Sequence, residues 1–369
     1  MAVRFTDGFD LYTTPTDMDD TRQWFVENSS GNLSIATTAG KYGGGALALA
    51  SGSADTVFNT FASGLSSGNT ICASFMLKTS AATKPTNGVY FFGIGSATAN
   101  HSRVSSDSDV FPTLGISIDG RLNLALAGSI GAEAYVDINV CDGLWHHVEI
   151  AVKTDNSTGI SRLVVDGVES LQSITSGDTL TLGANSDARD RVICGTNTAQ
   201  QTTFYIDDLL IYDDVSSGIA GDLTYTSNFP LGEVRIETIQ PNGVGTNSDW
   251  TPTSGDNYTN VDENVADDDT TIVATGTATD LDTYAFSNLS GTPSSVYGVM
   301  IGSVGKASPG ATTGIKHYTL SSAATDESAA ITLVGAYQFN QTFVGQDPNT
   351  TAAWTASGIN AAEFGIEKQ

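Results

Sequence analysis

The stretch that decides the fold is Gly143-Leu-Trp-His-His-Val-Glu-Ile-Ala-Val152. Successive side chains of a β-strand point to opposite faces, so an alternating pattern marks a strand. One face of this run carries His146, Val148, Ile150 and Val152, and the other carries Trp145, His147, Glu149 and Ala151. The run therefore predicts a sheet strand with one apolar face.

Two later runs extend this pattern. Arg162-Leu-Val-Val-Asp-Gly-Val168 contains an Asp-Gly pair that is typical of a tight turn between antiparallel strands. Phe204-Tyr-Ile-Asp-Asp-Leu-Leu-Ile-Tyr-Asp213 is a third β-rich run. Three such runs, each closed by turn residues, predict one antiparallel sandwich.

Together the three runs resemble the jelly-roll sandwich of the laminin G and concanavalin A-like lectin superfamily, where a WHHV strand, a VDG hairpin and a closing IDDLxIYD strand recur. Lys41-Tyr-Gly-Gly-Gly-Ala-Leu-Ala-Leu49 is similar to a glycine-rich strand of the same superfamily. The resemblance covers residues 1–229 if Phe5-Thr-Asp-Gly-Phe-Asp10 is the first strand. It implies that this first strand and the run from Phe204 to Asp213 are neighbours.

The chain has 369 residues, enough for two domains. Asn228-Phe-Pro-Leu-Gly232 is the expected boundary, because proline cannot donate to a central strand ladder. We expect a lectin-like jelly roll over residues 1–229 and a smaller β-rich domain over residues 230–369. In the second domain, strands are predicted from Glu233 to Ile239 and at five later β-rich runs, with a polar insertion from Pro241 to Asp269.

The predicted fold class is all-β: a concanavalin A-like jelly-roll sandwich plus a second, smaller sandwich-like domain. That second domain has at most one short helix, which follows a cap at Thr355 or Ser357. Its opening, Leu231-Gly-Glu-Val-Arg-Ile-Glu-Thr-Ile-Gln-Pro-Asn-Gly243, and its ending resemble a module of tailed-bacteriophage virion proteins that also begin with a lectin-like sandwich.

The charge balance restricts the partners. Fifteen Lys and Arg stand against 41 Asp and Glu, a formal net charge of −26, which argues against nucleic acid as a partner. No apolar stretch has membrane-spanning length, so no membrane insertion is expected, and residues 1–7 lack a signal-peptide core. Cys72, Cys141 and Cys194 match no disulfide or zinc spacing, which indicates free thiols.

Catalytic motifs are missing. A lectin-like hydrolase needs two carboxylates on one face, as in Glu-x-Asp-x-Glu, whereas Asp207-Asp208 and Asp213-Asp214 are adjacent and would point to opposite faces of a regular strand. Neither a Gly-x-Ser-x-Gly elbow nor a phosphate-binding loop occurs. We therefore expect no enzyme and no catalytic residue.

Metal and ligand sites remain open. His146 and His147 lie on opposite faces, and only His101 and His317 remain as partners, so we expect His146 to be hydrogen-bonded inside and His147 to lie outside. Trp145 is expected at the rim or in packing rather than under a sugar. No cofactor is predicted, although structural calcium is possible at the aspartates of four loops: Asp17, Asp19 and Asp20; Asp107 and Asp109; Asp187 and Asp190; Asp267, Asp268 and Asp269.

These observations predict a non-enzymatic structural protein of a tailed-bacteriophage virion, assembled in the host cytoplasm and associated with the tail or tail fibre. It would contact other virion proteins or a host-surface glycan. A capsid-surface decoration protein is the first alternative, and a bacterial carbohydrate-binding protein is the second. Virion positions are symmetric, so a homo-oligomer, with a trimer as the working choice, is expected.

Overall fold

The computed structural model contains two compact units. The described residues are 3–28, 30–50, 55–65, 69–80, 84–85, 88–95, 110–125, 134–153, 155, 157–177, 189–196, 202–215, 223–308, 310 and 313–369. The first unit takes in residues 1–19, 24–216 and 223–236, and the second takes in residues 20–23, 217–222 and 237–369. The first unit thus continues past residue 229 to Ile236, and the boundary at 229/230 stays a prediction.

The first unit is built from sixteen strands in the described residues. They are β1 (Val3–Asp7), β2 (Phe25–Glu27), β3 (Leu33–Ile35), β4 (Leu47–Leu49), β5 (Thr56–Leu65), β6 (Ile71–Thr79), β7 (Val89–Gly95), β8 (Val110–Ile116), β9 (Arg121–Ala125), β10 (Ala134–Asn139), β11 (Trp145–Lys153), β12 (Gly159–Val165), β13 (Val168–Glu169), β14 (Ile174–Gly177), β15 (Arg189–Gly195) and β16 (Phe204–Asp213).

These strands form two antiparallel sheets that enclose one core. The nine-stranded sheet has the order β13-β12-β11-β6-β16-β4-β3, with β1 added on β16 and β14 on β12. The seven-stranded sheet has the order β10-β9-β8-β7-β15-β5-β2. Buried side chains from both sheets, such as Phe75, Ile150, Phe92 and Leu124, pack into one hydrophobic cluster. This confirms the predicted sandwich.

Strand β16 lies at the centre of the nine-stranded sheet and changes neighbour along its length. One side pairs with β6 throughout. The other side pairs first with β4, through Ile206 and Leu47, and then with β1, through Leu209 and Asp7. The predicted pairing of the first strand with the run from Phe204 to Asp213 is therefore present.

The second unit is also β-rich in its described residues. Its strands are β17 (Pro241–Ser248), β18 (Thr251–Pro252), β19 (Val273–Ala274), β20 (Leu281–Phe286), β21 (Val299–Gly305), β22 (Thr313–Ser321), β23 (Ala324–Glu327), β24 (Ile331–Leu333), β25 (Gln338–Val344) and β26 (Glu363–Lys368). They form a six-stranded sheet and two two-stranded sheets. Two clusters, around Trp354 and around Leu333, make its core.

Helices are few and short in the part of the chain that the structure describes: α1 (Pro15–Asp20), α2 (Tyr225–Asn228), α3 (Ala356–Ala361) and a 3-10 turn at Asn257–Asn260. Of the two predicted caps for the last helix, Thr355 is the one used, because its Oγ1 accepts from the Gly358 N–H at 3.0 Å. None of the described helices is long and apolar enough to span a membrane. The three cysteines are free and buried.

Two strand predictions near the boundary are wrong. The segment from Glu233 to Ile239 is not a strand, because the main-chain N–H of Ile236 is donated to a side chain, Asp208, instead of to a ladder. Pro241–Ser248 is an edge strand of the six-stranded sheet rather than part of a polar insertion. Its side chains alternate between more and less buried, and it pairs with β20. Its Gly- and Asn-rich sequence does not indicate this pairing.

Candidate functional site

His146 is a structural residue at the start of β11. Its Nδ1 lies 2.7 Å from Asp166 Oδ2, and its Nε2 lies 3.0 Å from Asp142 Oδ1. Asp166 also accepts from the His147 main-chain N–H at 2.9 Å. The histidine therefore joins the loop before β11 to the tight turn after β12, as expected of a buried, hydrogen-bonded residue.

His147 lies on the opposite face of β11, but the prediction that it is exposed is wrong. It is 5% exposed, and its Nε2 lies 2.9 Å from Ser74 Oγ. The alternation of the strand was predicted correctly. What the sequence does not show is that the segment after α2 covers this second face of the sheet.

Glu149 is the clearest sign of that cover. It is 1% exposed and accepts from the main-chain N–H of Leu231 at 2.6 Å and of Gly232 at 3.3 Å. Beside it, the guanidinium of Arg162 lies 4.6 Å from the centre of the Phe229 ring. Burial raises the pKa of Glu149 to about 7, against hydrogen bonds that lower it.

Asp207 and Asp208 do not lie on a regular strand. Strand β16 bulges between Asp207 and Leu210, and Asp208 has φ +52°. Both carboxylates are buried: Asp207 accepts from the Lys41 N–H at 2.7 Å, and Asp208 accepts from the Ile236 N–H at 2.6 Å. Burial raises the pKa of Asp207 to about 6 and that of Asp208 to about 8.

The second aspartate pair ends the same strand. Asp213 is fully buried, receives the Arg4 side chain and accepts from the Val215 N–H at 2.7 Å. Burial raises its pKa to about 6. Asp213 thus binds β1 through Arg4 and the chain after β16 through Val215. These are the contacts of a structural residue.

The aspartates considered for calcium are spread widely. Asp17 is held within its own turn, where hydrogen bonds from Thr13 and Thr14 overcome the effect of burial and lower its pKa to about 2. Asp269 binds Lys306 at 2.7 Å. Asp107, Asp109, Asp187 and His101 lie outside the described residues. Among the residues that are described, no three His, Cys, Asp or Glu side chains are grouped to hold a metal.

The outer face of the seven-stranded sheet, meaning the face turned away from the core, presents aromatic rings at both ends. Phe25 on β2 is 50% exposed, and its ring centre lies 4.7 Å from that of Phe58 on β5. The guanidinium of Arg191 on β15 lies 4.2 Å from the Phe58 ring centre. This first group combines an exposed aromatic surface with a cation.

A second group lies at the β9–β10 end of the same face. Tyr135 is 37% exposed and pairs with Asn123 of β9. Asn123 lies between Leu122 and Leu124, which both point into the core, so Asn123 and Tyr135 point outward. The Arg121 guanidinium lies 5.6 Å from the Tyr135 ring centre. The two ends are five or six strand spacings apart, about 25–30 Å.

The middle of this face is buried. Tyr90 is 4% exposed and Ile193 is fully buried, and they pack with Ala125 and Phe58. Among the side chains that the structure describes on this face, the exposed rings therefore lie at the two ends. These rings were not predicted as site residues, although alternation in Trp24-Phe-Val26 places Phe25 on the face opposite to Trp24 and Val26.

Trp145 is half-buried, with Lys78 Nζ 5.8 Å from its ring centre. Its place at the first residue of β11 agrees with a rim position. It lies on the nine-stranded sheet, whereas both exposed aromatic groups lie on the seven-stranded one.

Comparison with known proteins supports the fold of the first unit. The family model for the laminin G domain matches residues 84–204, about a third of the chain. No curated protein sequence matches the chain.

Solved structures with a similar arrangement include three binding or catalytic proteins. The carbohydrate recognition domain of Emp47p has 11% identity and a TM-score of 0.38 over 58% of this chain and 98% of its own. An endo-β-1,4-glucuronan lyase from the fungus Trichoderma reesei has 12% identity and a TM-score of 0.38 over 57% and 95%. The binding domain of botulinum neurotoxin DC, in complex with rat synaptotagmin II, has 15% identity and a TM-score of 0.36 over 51% and 42%.

TM-scores below 0.5 support no conclusion about this chain. This chain spans less than half the length of the neurotoxin chain that it matches. The laminin G match covers strands β7 to β15 and the first residue of β16, which form part of both sheets. Residues 84–204 are thus similar to a laminin G domain, and the first unit has the concanavalin A-like jelly-roll fold.

Proposed function

We propose that the chain is a non-enzymatic structural protein of a tailed-bacteriophage virion, located at the tail or tail fibre. Its jelly roll contacts a host-surface glycan or a neighbouring virion protein. The observation that carries the binding role is the pair of aromatic and arginine groups at the two ends of the outer face. The virion location is supported by the order of the two domains and by the phage-like opening of the second one.

Exposed aromatic rings next to arginine suit recognition. An aromatic ring contributes a large rigid apolar surface, and Tyr and Arg are enriched among the residues that dominate binding energy. Phe25 is half exposed, and Tyr135 carries a hydroxyl group at its edge. Arg191 and Arg121 lie against Phe58 and Tyr135, respectively, so each group can meet an apolar surface and an acceptor together.

A binding experiment tests the role of this face. The purified full-length chain is incubated with intact bacterial cells and with an array of bacterial glycans. Replacing both Phe25 and Tyr135 by Ala is expected to weaken binding roughly fivefold or more, the effect of losing a residue worth about 1 kcal/mol or more. Leu171→Ala is the matched control, because Leu171 is 98% exposed and lies outside the outer face. Equal binding by the double variant and the control would contradict this role.

Particle composition tests the virion location. The chain is expected in gradient-purified particles by mass spectrometry, and a labelled chain is expected at the tail by electron microscopy. Recovery only from the soluble lysate would contradict a virion role. Label on the head would favour the capsid-decoration alternative, and glycan binding without particle association would favour a bacterial carbohydrate-binding protein. Light scattering tests the expected homo-oligomer, proposed as a trimer.

A further inference from the structure

The nine-stranded sheet carries a row of three side chains on the face that is turned away from the core. Lys78 of β6 pairs with Trp145 of β11 on one side and with Tyr205 of β16 on the other. Leu77 and Ile206, the next residues on two of these strands, point into the core. Because side chains alternate along a strand and paired residues share a face, Trp145, Lys78 and Tyr205 all point outward. We call these three residues the aromatic row.

The aromatic row lies where the covered part of this face ends. Towards the middle of the sheet, the next outward residues are His147 and Met76, which are 5% and 1% exposed. The three side chains of the row are half-buried. On the other side of the row, Ser80 is exposed and Thr203 is half-buried, and the Thr203 N–H donates to Ser80 Oγ at 3.0 Å. The row is therefore open to a ligand at the end of the sheet, with a hydroxyl group beside it.

Lys78 gives this place a positive charge that the protein itself does not balance. Its Nζ lies 5.8 Å from the centre of the Trp145 ring, where the ring attracts a cation. No carboxylate pairs with Lys78 among the residues that the structure describes. By contrast, Lys306 and Lys316 each lie within 2.8 Å of a carboxylate oxygen. In a chain with a net charge of −26, this lysine marks a place where a negatively charged ligand is favoured.

The spacing of the two rings indicates the kind of ligand. Trp145 and Tyr205 lie on strands two positions apart, so their main chains are about 10 Å apart. Two linked sugar rings span a similar length, and each has an apolar C–H face and a polar edge. Trp and Tyr side chains likewise combine an apolar body with a polar edge. An acidic peptide has no such repeated flat apolar faces, so the row suits a glycan better.

We propose that the aromatic row binds a glycan whose sugar rings carry carboxylate groups. The Lys78 ammonium donates to the carboxylate, Trp145 and Tyr205 pack against the sugar rings, and the Ser80 hydroxyl lies near the edge of the site. This assignment departs from the expectation that Trp145 lies at the rim without contacting a sugar. The sequence does not show which residues of β6 and β16 lie beside Trp145.

This site is distinct from the one in the proposed function. The residues of the aromatic row lie on the nine-stranded sheet, whereas Phe25 and Tyr135 lie on the seven-stranded sheet. Variants of one group leave the other group unchanged. The two proposals can therefore fail separately.

Calorimetric titration of the full-length chain with hexagalacturonic acid and with its methyl ester tests the role of charge. The ester has the same sugar rings without the negative charges. We expect the acid to bind about three- to fivefold more tightly, the effect of one partly exposed ion pair, and added salt to weaken binding of the acid only. Sialyllactose, compared with lactose, shows whether a terminal acidic sugar binds as well as one within a polymer.

Lys78→Gln is expected to lower the affinity for the acid to that for the ester and to leave the affinity for the ester unchanged. Lys153→Gln is the matched control, because Lys153 lies on the same face at the other end of β11. Trp145→Ala is expected to weaken binding of both acid and ester about fivefold or more. Trp145→Phe keeps an aromatic ring and should restore most of this loss.

Three results would overturn the proposal. The first is a wild-type chain that binds neither hexagalacturonic acid nor sialyllactose more tightly than the uncharged form. The second is the same preference for the acid in Lys78→Gln as in Lys153→Gln. The third is tighter binding of polyglutamate than of hexagalacturonic acid, which would indicate an acidic protein partner. If Trp145→Ala is unfolded by circular dichroism, Lys78→Gln decides, because its test compares two ligands on one protein.

Discussion

At the residue scale, the molecule is marked by a set of buried, hydrogen-bonded carboxylates among its many acidic residues. Asp7 accepts from Trp24 Nε1 at 2.6 Å, from the Tyr12 hydroxyl at 2.9 Å and from the Phe9 N–H at 2.7 Å, and burial raises its pKa to about 6. Glu149 serves the nine-stranded sheet in a similar way. Each carboxylate is a local anchor for main-chain or side-chain donors.

Glu149 predicts a pH dependence of stability. Its pKa is about 7 in the folded chain, above its ordinary value of 4.5, so only the unfolded chain ionises readily between these values. The free energy of unfolding should therefore fall as pH rises from about 4.5 to 7. Glu149→Gln should remove this fall in the free energy of unfolding, which is on the order of 1–3 kcal/mol. Urea unfolding of the wild-type chain and the variant at pH 5 and at pH 8 measures the difference.

Glu169→Gln is the contrasting variant. Hydrogen bonds from Arg162, with Glu169 Oε1 2.6 Å from Arg162 Nε, lower the pKa of Glu169. Its contribution is therefore present at neutral pH and lost in acid, the opposite sign to that of Glu149. The same pH slope in the wild-type chain and in Glu149→Gln would show that Glu149 does not carry the effect.

At the element scale, the segment from Leu231 to Ile236, which we call the strap, overlaps the strand predicted from Glu233 to Ile239 but is not a strand. Its main-chain donors meet Glu149 and Asp208 instead of a neighbouring strand. It covers the second face of β11, which is why His147 and Glu149 are buried. An element without a ladder can still be fixed when buried acceptors receive its N–H groups.

Ile236→Pro tests this arrangement. Proline lacks the N–H that Asp208 Oδ1 accepts, so the buried carboxylate would lose a donor. We expect a loss of about 1–3 kcal/mol in the free energy of unfolding. Ile236→Ala keeps the N–H and separates this effect from that of the side chain. Equal losses in the two variants would mean that the hydrogen bond does not hold the strap.

The sequence predicts the strands of this fold better than it predicts which strand faces are buried by distant segments. The alternation in residues 145–152 and the pairing of β1 with β16 follow from local patterns and from family resemblance. The burial of His147 depends on a segment more than 80 residues later in the chain. The positions of Asp207 and Asp208 depend on a bulge in β16, which cannot be predicted from the residue pattern. The exposure of Phe25 follows from alternation, but the contact of Arg191 with Phe58 depends on the order of the strands in the sheet.

At the scale of the whole molecule, the chain contains two compact units with separate cores. The first core gathers side chains of both large sheets, and the second unit has the clusters around Trp354 and Leu333. Separate cores of this kind can unfold separately, because each cluster is made of side chains from its own unit.

Calorimetry of the full chain is therefore expected to show two unfolding transitions. Glu149→Gln should move only the transition of the first unit, upward at pH 8. His317→Ala should lower only the transition of the second unit, because His317 is 1% exposed and lies between Ser303 and Thr342. One transition that moves as a whole in both variants would contradict separate unfolding.

The central position of β16 also has a consequence for synthesis on the ribosome. Residues 204–213 lie between β6 on one side and β4 and β1 on the other, although those partners are made more than 120 residues earlier. Until β16 leaves the ribosome, the edges of β6, β4 and β1 that pair with it stay unpaired, and unpaired strand edges promote aggregation. The nascent sandwich therefore closes late, and the translation of its last long strand completes the sheet.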